Sequence, residues 1–284
     1  MLLTMYHLTT NTKMLKDEIF DVGCFFSSDE NGFLINPSSK NKIQDDWVPV
    51  INEILVSFRK NYSAYIESIY LRGSVARGTA VKNRSNINVV VIIDENCAEF
   101  IENDKKILKI KDDILNKFDF VLDIDLLFVP LTSINEDLWS LFIDAFPIYS
   151  IKDYHLPIIN KKIDSGLLMH LYKLEVYGKI LNDCELEKLE KKEICKICKC
   201  LMKILIRSGM NLTLSRELKY SKDLYPCFSV FCKYYPQKKE EMEMVFNLFI
   251  DPIDDPIKIK EINNSFGAWI LEEFKNNDKI TEFN

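Results

Sequence analysis

The fold is decided by a polar turn and two flanking apolar runs, LRGSVARGTAVKNRSNINVVVIID, at residues 71–94. The segment YIESIYLRGS leads into Gly73, and the run INVVVIID is rich in β-branched residues. Such runs predict buried strands, and glycine at the end of a strand predicts a sharp turn. The stretch therefore predicts two strands joined by a short helical turn and a loop.

The turn after the first strand has the features of a phosphate site. A strand that turns into a helical segment presents free backbone N–H groups, and glycine lets the backbone approach an anion closely. Ser74 adds a hydroxyl group and Arg77 a positive charge. We therefore predict that Gly73, Ser74 and Arg77 bind a phosphate-bearing ligand.

Two pairs of polar residues fall at alternate positions farther along the chain. Asn86 and Asn88 form the first pair, and Asp123 and Asp125 the second, in the strand-like segment FVLDIDLLFV. Side chains at i and i+2 of a strand share a face, so we expect the pairs to converge at one sheet edge. Converging oxygens are what Mg²⁺ prefers, and two such ions can promote phosphoryl transfer. The residues that alternate with Asp123 and Asp125 are expected in the core, and they are Leu122, Ile124 and Leu126.

The segments GSVARG, SNIN and DIDLLFV together resemble the signature of the polymerase-β-like nucleotidyltransferase superfamily. That signature has Gly-Ser, then Asp-x-Asp on the next strand, and a third Asp on a later strand. The resemblance spans roughly residues 66–129 and is greatest to the minimal and antibiotic-type nucleotidyltransferases. It implies transfer of a nucleoside monophosphate from an NTP or dNTP to a hydroxyl acceptor with two Mg²⁺ ions. The implied metal positions are Asn86, Asn88 and Asp125, with Asp123 as the alternative third carboxylate.

The sequence departs from this signature at both paired positions, because Asn86 and Asn88 stand where the family has Asp. Asparagine is nearly isosteric with aspartate but neutral, so we expect catalysis to be close to abolished while nucleotide binding persists. A natural pseudoenzyme and a deliberately disabled enzyme both explain the pattern. We favour the disabled Asp-to-Asn variant, since decay seldom replaces both carboxylates by isosteres and leaves the surrounding motif in place.

Beyond residue 153 the strand signal gives way to helical periodicity. We predict an α+β protein with an N-terminal extension (1–44), a small mixed-sheet nucleotidyltransferase core (45–152) and an all-helical C-terminal domain (153–284). In the helical part, Arg216 and Lys222 are candidate triphosphate ligands. Glu217 or Asp223 is the candidate general base, by the resemblance to antibiotic nucleotidyltransferases.

Composition limits the remaining function classes. A net charge of −6 and a pI near 5.3 argue against coating nucleic acid through bulk electrostatics. The apolar runs are shorter than the ~20 residues that cross a bilayer, which predicts a cytoplasmic protein without a membrane partner. Cys195, Cys198 and Cys200 lack a fourth zinc ligand nearby and are interpreted as thiols. The isolated histidines, interpreted as structural, are His7, His155 and His170.

The acceptor stays open at this level. The resemblance is compatible with an oligonucleotide, tRNA, a protein or an antibiotic, and with an operon partner protein or a homo-oligomer. We favour an enzyme of the toxin–antitoxin or phage-defence type, which can make a nucleotide signal or oligonucleotide. The alternatives are an aminoglycoside-type antibiotic adenylyltransferase and a non-catalytic nucleotide-binding pseudoenzyme or antitoxin.

Overall fold

The computed structural model describes residues 22–97, 104–134, 138–151 and 161–276. Within these ranges the chain forms two compact units. One comprises residues 27–161, and the other comprises residues 162–276 together with residues 22–26. The boundaries predicted at residues 44 and 152 stay predictions, and residue 152 lies outside the described residues.

The first unit is built on a four-stranded mixed sheet in the order β3-β2-β1-β4. Strand β1 is antiparallel to both of its neighbours, and β2 is parallel to β3. A parallel pair requires a long crossover connection, which explains the helical segment between β2 and β3. The strands are β1 (Ile66–Arg72), β2 (Ile87–Ile93), β3 (Ile124–Pro130) and β4 (Ala145–Ser150).

Among the described residues, four α-helices accompany this sheet, and the longest, α1, buries Val50, Ile54 and Phe58 at helical spacing. This apolar face joins one core with β1, β2 and helix α3, as the 3.6-residue periodicity of the sequence predicts. A 3-10 turn at Asp45–Trp47 precedes α1 and buries Trp47. The helices are α1 (Val48–Tyr62), α2 (Gly73–Arg77), α3 (Lys105–Lys117) and α4 (Trp139–Phe142).

Strand β3 begins later than the sequence suggests. The chain turns at Phe118, whose carbonyl accepts the N–H of Val121 at 3.0 Å, and enters the sheet only at Ile124. Ile124 is buried as expected, but the expectation that Leu122 points into the core is wrong, because it is 44% exposed. Leu122 lies before the first residue of the strand, so the alternation of the strand does not reach it.

The second unit is helical, as predicted, and α6 packs against α5, α8 and α9. Helix α6 begins with a capping box in which Glu190 and Glu193 each accept the other's backbone N–H. A π-helical turn at Asn263–Gly267 connects the last two helices. The helices are α5 (Met169–Asp183), α6 (Lys191–Asn211), α7 (Leu214–Glu217), α8 (Leu224–Tyr234), α9 (Lys239–Ile250), α10 (Pro256–Ile262) and α11 (Ala268–Asn276).

Residues 22–26 are tied to the helical unit by hydrogen bonds. The backbone N–H of Cys24 donates to Oδ2 of Asp223 at 3.1 Å, and the hydroxyl of Ser221 donates to the carbonyl of Cys24 at 2.7 Å. The N–H of Phe26 donates to the carbonyl of Tyr220 at 2.8 Å.

Throughout the described part of the chain, no helix has the length and apolar character that spanning a bilayer requires.

Candidate functional site

Two residues predicted from the sequence, Asn88 and Asp125, lie next to each other at one end of the sheet. Arg72, the last residue of β1, pairs with Asn88 of β2, and Asn88 pairs with Asp125 of β3. Gly73 follows directly and has φ of +80°, a conformation that favours glycine. A Cβ atom at Gly73 would lie 3.1 Å from Nδ2 of Asn88. The glycine turn and the polar residues of β2 and β3 therefore meet at one sheet edge.

Asn86 joins this group from the residue just before β2. Its side-chain Nδ2 donates a hydrogen bond to Oδ2 of Asp125 at 2.9 Å. The Nδ2 of Asn88 lies 3.4 Å from the backbone carbonyl of Asn86, which is long for a hydrogen bond. The structure thus brings together Asn86, Asn88 and Asp125.

The other candidate carboxylate, Asp123, has different partners. Its Oδ1 lies 2.7 Å from Nζ of Lys111 on helix α3 and also accepts the N–H of Ile124 at 2.9 Å. Asp125 contacts Asn86, whereas Asp123 forms an ion pair with Lys111. The i, i+2 spacing in the sequence left these two carboxylates as alternatives, and the structure separates them.

The turn itself depends on its second glycine. Helix α2 ends at Arg77, and the next residue, Gly78, has φ of +75°; the N–H of Thr79 donates to the carbonyl of Ser74 at 2.9 Å. A Cβ atom at Gly78 would lie 2.4 Å from the carbonyl oxygen of Lys42. Both the backbone conformation and this close approach require glycine here.

Arg77, predicted to bind phosphate, forms a buried ion pair with Asp144. The two side chains are 3% and 1% exposed. Nε of Arg72 lies 3.8 Å from the same carboxylate, so Asp144 faces both arginines that flank Gly73 and Ser74. Binding of phosphate by Arg77 stays a prediction. It requires the guanidinium to contact the phosphate and the Asp144 carboxylate at the same time. Sequence reasoning missed Asp144, because no local pattern links it to a residue 67 positions away.

The donor set of this site does not fit the pair of Mg²⁺ ions implied by the resemblance. Of the three converging side chains, Asp125 alone can carry a negative charge, whereas Mg²⁺ favours carboxylate oxygens together with water and phosphate. The atom of Asn86 that faces Asp125 is a nitrogen, which cannot ligate Mg²⁺. Across the described ranges, no group of three or more His, Cys, Asp or Glu side chains is placed to hold a metal.

Both candidate phosphate ligands of the helical unit contact residues of that unit, Arg216 through its guanidinium and Lys222 through its backbone carbonyl. The guanidinium of Arg216 lies 4.8 Å and 5.0 Å from the ring centroids of Tyr234 and Tyr235, and its Nη2 donates to the Tyr235 hydroxyl at 2.7 Å. Lys222 is buried, and its carbonyl accepts hydrogen bonds from Nε and Nη2 of Arg207 at 3.1 Å and 2.6 Å. Their predicted contact with a triphosphate stays a prediction.

The two candidate general bases are also held by neighbours. Glu217 accepts hydrogen bonds from Lys233 at 2.6 Å and from the Tyr234 hydroxyl at 2.9 Å. The Lys233 ammonium is the main cause that holds the pKa of Glu217 below its ordinary value. Asp223 accepts the backbone N–H of Cys24. A proton-accepting role for either carboxylate stays a prediction.

Among the described residues, the histidines and cysteines form no cluster that could hold a metal. His170 is buried, and burial together with the charge of Arg207 holds its pKa well below the ordinary value. His7 and His155 lie outside the described residues. Cys198 is fully buried, and Sγ of Cys195 contacts the carbonyl of Pro252 at 3.7 Å.

Comparison with known families identifies the class of the sheet unit. The family model of the nucleotidyltransferase domain matches residues 51–137. This segment contains the glycine turn, both asparagines and Asp125. Residues 51–137 therefore match a nucleotidyltransferase domain, and the matched region ends before the helical unit begins.

Among solved structures, the chain is similar to spectinomycin adenyltransferase AAD(9) from Enterococcus faecialis, determined with ATP and spectinomycin. The identity is 14% and the TM-score 0.45, over 77% of this chain and 98% of that chain. A likeness of this extent identifies no substrate. No curated protein matches the sequence.

Proposed function

We propose that this protein binds a nucleoside triphosphate where the turn at Gly73 and Ser74 meets Asn86, Asn88 and Asp125. The pairing of Arg72, Asn88 and Asp125 across three neighbouring strands carries this proposal. Backbone N–H groups after a glycine turn bind phosphate oxygens well, and the Ser74 hydroxyl adds a further donor. The buried ion pair with Asp144 fixes the position of Arg77, the last residue of helix α2.

With carboxylates at positions 86 and 88, we propose that the same site performs Mg²⁺-dependent nucleotidyl transfer. The oxygen of an acceptor hydroxyl forms a bond to the α-phosphorus, and the bond to the bridging oxygen breaks. Pyrophosphate leaves with that electron pair, and the hydroxyl proton passes to a base. Asp125 serves as the third carboxylate, because Asp123 pairs with Lys111. With Asn at both positions, this chain transfers little or nothing.

A second candidate function is a non-catalytic nucleotide-binding module. The hydrogen bond from Asn86 to Asp125 favours it, because an ionised carboxylate at position 86 could not donate this bond.

For the catalytic form, our preferred acceptor is that of a toxin–antitoxin or phage-defence enzyme, either RNA or a second nucleotide. An aminoglycoside-type antibiotic is the alternative acceptor.

The test compares this chain with its Asn86→Asp/Asn88→Asp variant in a pyrophosphate-release assay. Each NTP and dNTP, labelled at the α-phosphate, is offered with tRNA, oligonucleotides, cellular protein or aminoglycosides, and the labelled product identifies the acceptor. We expect turnover by the double variant and none above background by the unchanged chain. Absence of turnover with every acceptor, from a folded double variant, would contradict the transfer reaction and leave the binding module.

A further inference from the structure

The polar side chains at this sheet edge present hydrogen-bond donors where the resemblance implies metal ligands. We infer that this chain binds the triphosphate without a divalent metal, through amide N–H groups of Asn86 and Asn88 that contact phosphate oxygens directly. The inference rests on the proposed nucleotide binding at the same site. It concerns this chain as it stands, with Asn at both positions.

The first step concerns Asp125, the one carboxylate in the group. Its Oδ2 already accepts a hydrogen bond of 2.9 Å from Nδ2 of Asn86. A divalent cation bound to the same oxygen would face the hydrogens of that amide group, which repel it. In this arrangement the neutral amide, rather than a cation, lies beside Asp125.

The second step concerns the donors that remain. A side-chain amide has two N–H groups, so Asn86 retains a second donor after its bond to Asp125. The recorded contact of Asn88 Nδ2, with the carbonyl of Asn86, is 3.4 Å long and therefore weak. This nitrogen also lies beside Gly73, where the N–H groups of the turn begin. The amide donors of Asn86 and Asn88 thus lie together at the edge beside the glycine turn, an arrangement that suits an anion.

The third step is the balance of charge. Three carboxylates at these positions would repel a triphosphate unless cations stood between them. With Asn86 and Asn88 in place, one carboxylate remains, and an amide hydrogen already faces it. Binding of the triphosphate then no longer depends on a cation to offset the repulsion.

The experiment measures ATP affinity by isothermal titration calorimetry in EDTA and in Mg²⁺, using the full chain. For the unchanged chain we expect the two dissociation constants to agree within about twofold, a difference of under ~0.5 kcal/mol. For the Asn86→Asp/Asn88→Asp variant we expect weak binding in EDTA and binding roughly tenfold tighter or more in Mg²⁺. The exposed Asn96, beyond the opposite end of β2, provides a control for a single added negative charge. Asn96→Asp should change neither constant.

A second measurement uses Mn²⁺ alone, without nucleotide, and follows the free ion by electron paramagnetic resonance. We expect the double variant to bind Mn²⁺ and the unchanged chain to leave it free. Binding of ATP by the unchanged chain only when Mg²⁺ is present would overturn this inference and leave the proposed nucleotide binding intact. If neither the unchanged chain nor the double variant binds ATP, in EDTA or in Mg²⁺, this inference and the proposed nucleotide binding are both overturned.

Discussion

Replacing Gly78 with alanine is expected to destabilise the sheet unit more than the same change at Gly32. Both glycines have positive φ angles, +75° and +80°. They differ in their surroundings, because a Cβ atom at Gly78 would lie 2.4 Å from the carbonyl oxygen of Lys42, whereas nothing lies within 4 Å of one at Gly32. Comparison of the two variants therefore separates the free-energy cost of the backbone conformation from the cost of the steric clash.

The magnitudes follow from these two terms. The left-handed conformation costs a residue with a Cβ atom roughly 1–2 kcal/mol, offset in part by the lower entropy of the unfolded chain, about 0.4–1 kcal/mol. Gly32→Ala should therefore cost roughly 0–1.6 kcal/mol. Relief of the clash at Gly78 requires a shift of the Lys42 backbone, and overpacking of this kind costs ~1–3 kcal/mol. The expected free-energy loss for Gly78→Ala is about 2–4 kcal/mol.

Equilibrium unfolding in urea, followed by tryptophan fluorescence, measures both losses. Trp47 and Trp139 lie in the sheet unit and Trp269 in the helical unit, so a Trp269→Phe background confines the signal to the sheet unit. The midpoint of unfolding should fall further for Gly78→Ala than for Gly32→Ala, with the same slope. Equal losses for the two variants would refute the claim that close approach at Lys42 makes Gly78 necessary.

Asp144→Ala, which leaves Arg77 buried without its carboxylate, should cost about 3–5 kcal/mol of unfolding free energy. Glu175→Ala, which breaks an exposed pair with Lys179, should cost under ~0.5 kcal/mol, and similar urea midpoints for the two would contradict this. Glu217→Gln should lower the melting temperature above pH 4.5, the ordinary pKa of the side chain. Because folding lowers that pKa, its stabilising effect is lost as pH falls through the folded value, so the melting curves should converge in acid; a gap independent of pH would count against it. In the Asn86→Asp/Asn88→Asp background, Asp125→Asn should abolish pyrophosphate release while Asp123→Asn preserves it, and the reverse would reassign the third carboxylate.

The buried carboxylate of Asp144 shows how the turn is positioned. It forms an ion pair with Arg77 and lies near Arg72, and these two residues bracket Gly73 and Ser74 in the sequence. An ion pair that is almost fully desolvated has little freedom to move, because separating two buried charges is costly. We expect this pair to keep the turn in one conformation whether or not a nucleotide is bound.

The sheet core and the location of the site could be predicted from the sequence. The β-branched run INVVVIID and the apolar face of α1 are local patterns, and each determines its element because burial must repeat with the period of the backbone. The i, i+2 spacing also predicted that Asn86 and Asn88 meet the later aspartates at one edge, and the structure places Asp125 beside them. Local spacing carried these predictions, since a strand allows only two directions for its side chains.

Other features depend on segments far apart in the chain, and only the tertiary structure decided them. Lys111 on α3 pairs with Asp123 and leaves Asp125 beside Asn86, a choice that the alternation of the strand cannot make. Arg77 meets Asp144 because β4 lies next to β1, although nothing near either residue indicates a partner. Periodicity determines which face of an element is buried, but the neighbour it meets follows from register and packing of the whole unit.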